Sequence, residues 1–189
     1  MNVYDFDKTI YDGDSSIDLF LWLIPRHPKM LLNLPRTAAA GLSYLLHVCS
    51  KTQMKQHFYR ALKQIPDLDS EVKIFWDTHI NKIYPWYYEQ QREDDIIISA
   101  SPEFDIGEAC ARLGIKTWMA SRVDKKNGTY DGLNCHGEEK VRRLKELIPE
   151  PQIENFYSDS FSDTPLAKLA DKAWLIKDGQ VTPWPEGRR

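Results

Sequence analysis

The chain begins Met1-Asn2-Val3-Tyr4-Asp5-Phe6-Asp7-Lys8-Thr9, a short apolar run ending in two carboxylates one residue apart. Side chains along a strand repeat every two residues, so Asp5 and Asp7 leave the end of a first strand on the same side. Two like charges held that close need a counter-charge. A divalent metal, a lysine or a shared proton would supply it, and each belongs to catalysis more often than to packing.

Beyond this stretch, Asp12-Gly13 reads as a turn and Ser15-Ser16-Ile17-Asp18 as a helix start in the capping-box pattern, with Ser15 as the cap. From Ile17 to about Gln91 the apolar residues recur at helical spacing. They do so at Leu19, Phe20, Leu23 and Ile24 before Pro25, at Leu42, Leu45 and Leu46, at Phe58, Leu62 and Ile65, and at Val72, Phe75, Trp76, His79 and Ile83. The pattern then changes. Ile96-Ile97-Ile98 is a β-branched run suited to a strand buried on both faces. Ser101 as N-cap and Pro102 at the first helical position predict a helix to Leu113, closed by Gly114.

Further strands are predicted over 115–120, 154–157 and 172–176, a hairpin at Asn127-Gly128, and helices from Glu138 and from Asp163-Thr164-Pro165. Strands alternating with helices predict an open, largely parallel, Rossmann-like α/β sheet. The helical block falls between its first and second strands. The expected organisation is therefore an α/β core of residues 1–13 and 92–189 with an inserted helical cap of residues 14–91.

The composition narrows the function. At 189 residues the chain holds one good-sized core with an inserted subdomain. A formal net charge of −3 lacks the basic footprint of a nucleic-acid binder. Cys49, Cys110 and Cys135 have no CxxC spacing and give neither a disulfide framework nor a thiolate metal site, which points to a reducing, cytoplasmic setting. The acids Asp5, Asp7, Asp12 and Asp14 stand where a secretory signal would have basic and then apolar residues. No apolar run reaches the roughly 18 to 20 residues of a membrane span. Nothing in the sequence sets an oligomeric state.

In such sheets ligands bind beyond the carboxyl ends of the strands. Asp5 and Asp7, Ser99, and the Ser158-Asp159-Ser160-Phe161-Ser162-Asp163 run all fall there. Lys140 lies in the first turn of a helix, where a cation opposes the dipole, and is better explained by facing those carboxylates.

The Asp-x-Asp-x-Thr of residues 5–9, the apolar strand ending in Ser99, Lys140 and the Asp-Ser-x-x-Asp of residues 159–163 resemble, in order, the four motifs of the haloacid dehalogenase-like phosphohydrolase superfamily. The insert resembles the cap of its phosphoserine phosphatase-like subgroup, in position and helicity alone. The resemblance implies a Mg²⁺-dependent phosphomonoester hydrolase working through an aspartyl-phosphate. Asp5 would be the nucleophile and Asp7 the acid and base, with Lys140 neutralising the phosphoryl group. Ser99, Ala100, Thr9 and Lys140 would hold the phosphate. Asp5, the backbone carbonyl of Asp7, and Asp159 would bind the metal, with Asp163 orienting Lys140 or a metal-bound water. Asp14 takes the place of a substrate-facing acid.

Each position also has a plainer reading. Asp163 and Ser101 suit helix caps, Asp14 suits a helix N-terminus, and Thr9 suits a turn. The expected substrate is a small phosphorylated metabolite. Two alternatives stand beside it: a lipid headgroup phosphate at a membrane surface, and a phospho-accepting receiver-like switch without turnover. The apolar residues Leu19–Leu23, Leu31, Leu32, Tyr44 and Leu45, flanked by Arg26, Lys29, Arg36 and Lys51, bear on the first. They pack the cap against itself or they form an amphipathic surface toward an anionic membrane.

Overall fold

The computed structural model describes residues 1–185 and 187, with Lys51 described by its backbone only; the positions 186, 188 and 189 of the expected core, and the Lys51 side chain of the expected basic flank, lie outside the described residues. Six strands form one sheet: β1 (Asn2–Tyr4), β2 (Ile96–Pro102), β3 (Thr117–Ser121), β4 (Ile153–Ser158), β5 (Ala170–Lys177) and β6 (Gln180–Pro183). Their order is β3-β2-β1-β4-β5-β6. All neighbours are parallel except the β5–β6 pair. The β6 edge strand was not expected from the sequence; Asp178 and Gly179, both at positive φ, turn the chain back to make it.

Alternation along the strands distributes the core. Tyr4, Ile97 and Tyr157 face one side, whereas Val3, Ile96 and Phe156 face the other, and each set heads its own hydrophobic cluster. The second face is covered by α7 (Glu138–Leu147) and α8 (Thr164–Ala167) through Leu144, Leu166 and Ala167. The first is covered by α6 (Glu103–Leu113), α4 (Leu68–His79) and α5 (Pro85–Gln90). Tyr4 stacks on Tyr157 at 4.7 Å and meets Tyr87 edge-on at 5.1 Å. Each such pair adds about 0.5–1.5 kcal/mol beyond its buried area.

Between β1 and β2 run α1 (Ser15–Arg26), α2 (Leu34–Leu45), α3 (Lys51–Tyr59), α4 and α5, joined by short 3₁₀ turns. The helical insert is thus present, yet one continuous cluster runs from Leu19 and Leu62 through Phe75 and Trp76 to Tyr4 and Ile97. Its second half, α4 and α5, packs against the sheet face beside α6, while α1 to α3 stand over the strand ends. Phe20 on α1 stacks on Phe58 of α3 at 3.8 Å and joins these helices.

Several boundaries differ from expectation. The cap of α1 is Asp14, whose side chain accepts from the Ile17 N–H, and not Ser15; Pro25 lies inside that helix. β2 runs on through Ser101 to Pro102, which pairs with Ser121 after a register shift, so Ser101 is a strand residue and Pro102 precedes α6 without a side-chain cap. The Asn127-Gly128 hairpin forms with a four-residue loop, closed by Gly128 N–H to Asp124 O and by Asp124 N–H to Thr129 O. Gly128 sits at φ +72°, and a Cβ there would lie 2.4 Å from the Tyr59 carbonyl carbon. The hairpin tip therefore abuts the end of α3, and only glycine fits.

Candidate active site

The strand order reverses at β1, with β2 on one side and β4 on the other, which opens a crevice at the carboxyl ends of these three strands. Asp5 follows β1 directly, its N–H still bonded to Tyr157 O at 2.9 Å. The chain then turns tightly, with the Thr9, Ile10 and Tyr11 amides all donating to Phe6 O. The resulting cleft, of about 210 Å³, is lined by Asp5, Asp7, Asp14, Asp159 and Asp163, by Lys8, Lys55 and Lys140, and by Ala100, Ser101 and His136 among others.

Lys140 is 1% exposed and reaches in from the first turn of α7. Its Nζ donates to Asp5 at 2.6 Å and to Asp163 at 2.7 Å. Burial opposes its charge, but the two carboxylates outweigh that and hold its pKa above the ordinary lysine value. Asp163 Oδ2 also accepts from Ser158 Oγ at 2.9 Å, and its side chain makes no cap bond to α8. Asp163 thus orients Lys140 instead of capping a helix.

Asp7, one residue-pair along, lives in different surroundings. Its Oδ1 accepts from the Ser15 N–H at the start of α1 at 2.6 Å, and its Oδ2 accepts from Ser101 Oγ at 2.5 Å. Burial pushes its pKa up, Asp14 adds to the rise, and the two hydrogen bonds oppose it. Behind Ser101 stands a row of hydroxyls: Tyr59 OH donates to Ser16 Oγ at 3.4 Å, which donates to Ser101 Oγ at 3.0 Å. This row ties α3 to the Asp7 carboxylate.

A profile of the haloacid dehalogenase-like hydrolase family matches residues 3–168. The chain belongs to that family. Among curated relatives, "Probable phosphatase Rv3661" of Mycobacterium tuberculosis is 30% identical over 106 residues, covering 49% of this chain and 37% of that protein. Protein CicA of Caulobacter vibrioides is 30% identical over 83 residues, covering 41% of this chain and 37% of that protein. The chain spans little more than a third of the length of these relatives. Among solved structures, a protein of unknown function from Bordetella pertussis has a TM-score of 0.72 at 17% identity, covering 92% of this chain and 87% of that one. A phosphoserine phosphohydrolase-like protein from Francisella tularensis has a TM-score of 0.56 at 18% identity, covering 92% and 86%. At such identities these likenesses establish the shared fold.

Within this haloacid dehalogenase-like frame, two of the expected phosphate contacts are buried and hydrogen-bonded to backbone amides. Thr9 is wholly buried, and its Oγ1 accepts from the Asp159 N–H at 3.0 Å, so it holds the loop after β4. Ser99 is wholly buried too, its Oγ accepting from the Ser101 N–H at 3.0 Å, while Ala100 and Ser101 line the cleft. The register shift in β2 turns these two toward the cavity. Asp14 both caps α1 and lines the cleft.

Sequence reasoning read Ser101 as a helix cap and missed Ser16, Tyr59, His136 and Asp105. Ser99 and Ser101 are two apart, the spacing of one strand face, which was the available signal. Asp105 is wholly buried, accepts from Trp76 Nε1 at 2.9 Å, and is pushed up to about 8 by burial and then by Asp7. In sequence it is only an acid in the first turn of α6.

Five carboxylates against three lysines line the cleft. Burial pushes Asp5 to about 8 against the pull of Lys140, and Asp163 and Asp159 add to the rise. Burial likewise raises Asp159, with Asp163 next. Asp163 Oδ1 is buried with no hydrogen-bond partner. Among the described residues no three His, Cys, Asp or Glu side chains converge as a metal-holding set. Two oxygen-donating carboxylates in a negative cleft nonetheless suit a hard cation that keeps its waters, because Mg²⁺ takes one or two carboxylates and fills the rest with water and phosphate.

Proposed function

We propose that the protein is a Mg²⁺-dependent phosphomonoester hydrolase that works through an aspartyl-phosphate, with residues 14–91 as cap over a core of residues 1–13 and 92–189. The observation that carries this reading is the division of labour between two carboxylates one residue apart. Asp5 is clamped by the buried Lys140, whereas Asp7 is held by Ser15 and Ser101. Neighbouring acids whose surroundings differ in this way are suited to different steps.

In this mechanism an Asp5 oxygen attacks phosphorus, forming the acyl-phosphate bond as the ester P–O bond breaks. Asp7, its pKa raised by burial, gives a proton to the departing alkoxide. The resulting Asp7 carboxylate takes a proton from the water that attacks the acyl-phosphate, and phosphate leaves as Asp5 is restored. Lys140 carries its charge against Asp5 and the phosphoryl oxygens throughout, in a buried setting where that charge is little screened. Asp163 and Ser158 keep the ammonium aimed, and Thr9 fixes the backbone that presents Asp159. Asp5, Asp159 and the Asp7 carbonyl would hold Mg²⁺, which when bound neutralises phosphoryl charge and lowers the pKa of Asp5.

Phosphate release from p-nitrophenyl phosphate, with Mg²⁺ and with excess EDTA, tests the proposal. Turnover that requires Mg²⁺ and vanishes in Asp5→Asn is the expected result. No release by purified, Mg²⁺-replete protein would refute it.

A further inference from the structure

The helices over the cleft leave much of their apolar surface outside. α1 buries Leu19, Phe20 and Leu23 but exposes Ile17 and Leu21. α2 buries only Ala40, while Leu34, Leu42, Tyr44 and Leu45, and Leu46 and Val48 after it, are exposed. Self-packing of the cap therefore accounts for only part of its apolar content. Exposed patches of this kind mark sites that meet a membrane, a ligand or a partner.

The cavities single out one of these. Between α1, the 3₁₀ turn Pro28–Asn33 and α2 lies a groove walled by Phe20, Leu21, Ile24, Met30, Leu34 and Phe58. A second hollow, bounded by Met54, Phe58 and Tyr59, shares Ile17 and Phe58 with that groove. It shares Asp14 and Lys55 with the catalytic cleft. The three therefore adjoin, each sharing wall residues with the next. Polarity falls in one direction along them, from the carboxylates and lysines of the cleft, past Lys55, to a groove lined almost wholly by hydrocarbon.

We propose that the substrate is a membrane lipid phosphomonoester, with its phosphate in the cleft, its hydrocarbon chain along the hollow and groove, and the exposed leucines of α2 seated in the bilayer that supplies it. This rests on the phosphohydrolase reading and names its substrate class. A small polar metabolite would leave the groove unused, since past Asp14, Ser16, Lys55 and Tyr59 of the hollow only Asn33 and Thr37 among the groove's lining residues are polar. A hydrocarbon chain gains affinity from each methylene it buries there.

The test uses purified full chain with Mg²⁺ and a series of ethyl, hexyl and decyl phosphates kept below their micellar concentrations, with p-nitrophenyl phosphate alongside. We expect kcat/KM to rise about two- to four-fold for each methylene that reaches the groove. The variant Leu34→Gln should lower the decyl-to-ethyl ratio about ten-fold, and dioleoyl phosphatidate in phosphatidylcholine vesicles should be hydrolysed faster than dispersed dioctanoyl phosphatidate. A flat or falling series with p-nitrophenyl phosphate still turned over overturns the inference and leaves the hydrolase reading standing. Loss of all esters alike in Leu34→Gln, or a dimer by light scattering that Leu34→Gln dissociates, overturns it too. No release from any ester overturns the hydrolase reading and the inference with it.

Discussion

The ends of β1, β2 and β4 and the helices above them follow opposite rules. At the strand ends polar groups are buried and specifically paired: Lys140 lies between Asp5 and Asp163, Asp7 between Ser15 and Ser101, and Asp159 hangs from Thr9. Above them, α2 has apolar groups in the open. A buried charge set tolerates one arrangement only, because each unpaired member costs its full desolvation. An apolar surface is tolerant of sequence and is completed by whatever it binds. In the proposed function the chemistry belongs to the first region and the choice of substrate to the second.

Substitutions at the strand ends test this contrast most severely. Asp5→Asn should reduce turnover of p-nitrophenyl phosphate by about 10⁴-fold or more while the far-ultraviolet circular dichroism stays that of the wild type. Retained activity in a folded variant would break the assignment. Lys140→Met leaves Asp5 and Asp163 buried without their cation, and urea unfolding at neutral pH should register a loss of about 3–5 kcal/mol. Asp7→Asn should cost about 10²- to 10⁴-fold on ethyl phosphate. Read as kcat/KM, which reports formation of the acyl-phosphate, the same change should cost much less on p-nitrophenyl phosphate, whose phenolate leaves without a proton, and equal losses in kcat/KM would remove Asp7 from the acid role.

Asp105 sharpens the contrast by its pH dependence. Its carboxyl rises from 3.8 when unfolded to about 8 when folded. Between those values the folded chain keeps a proton that the unfolded chain has released, so stability falls as pH rises through that window, by at most about 1.4 kcal/mol per pH unit. Thermal unfolding from pH 5 to 8 should therefore fall more steeply for the wild type than for Asp105→Asn; parallel curves would count against a buried, protonated Asp105. Smallest of all, Thr9→Val strips the Asp159 N–H of its acceptor. Titration of activity with Mg²⁺ should then show a higher half-saturating concentration, by an amount worth about 1 kcal/mol.

Much of the strand-end region was legible in the sequence because the relevant signals are local. An apolar run followed by Asp-x-Asp, a lysine placed against its helix dipole, and acids after a later strand can each be read within a few residues. Ser101 escaped because Ser-Pro is also a good helix start, and only the pairing of Pro102 with Ser121 shows that the strand continues. Asp105 escaped because its partner Trp76 is 29 residues away. Ser16 and Tyr59 come from separate helices, and their row of hydroxyls exists only once α1 and α3 are docked.

By itself the sequence determined the kinds of element, their order, the insertion of helices after the first strand and the acids at the strand ends, because periodicity and capping act over a few residues. The tertiary structure alone decided that Thr9 supports Asp159, that Ser101 reaches Asp7, and that α4 and α5 pack against the sheet while α2 stays exposed. Helical periodicity tells which face of a segment is apolar. Whether that face is covered depends on what the rest of the chain packs against it, and for α2 the chain supplies little more than α3 and the 3₁₀ turn before it.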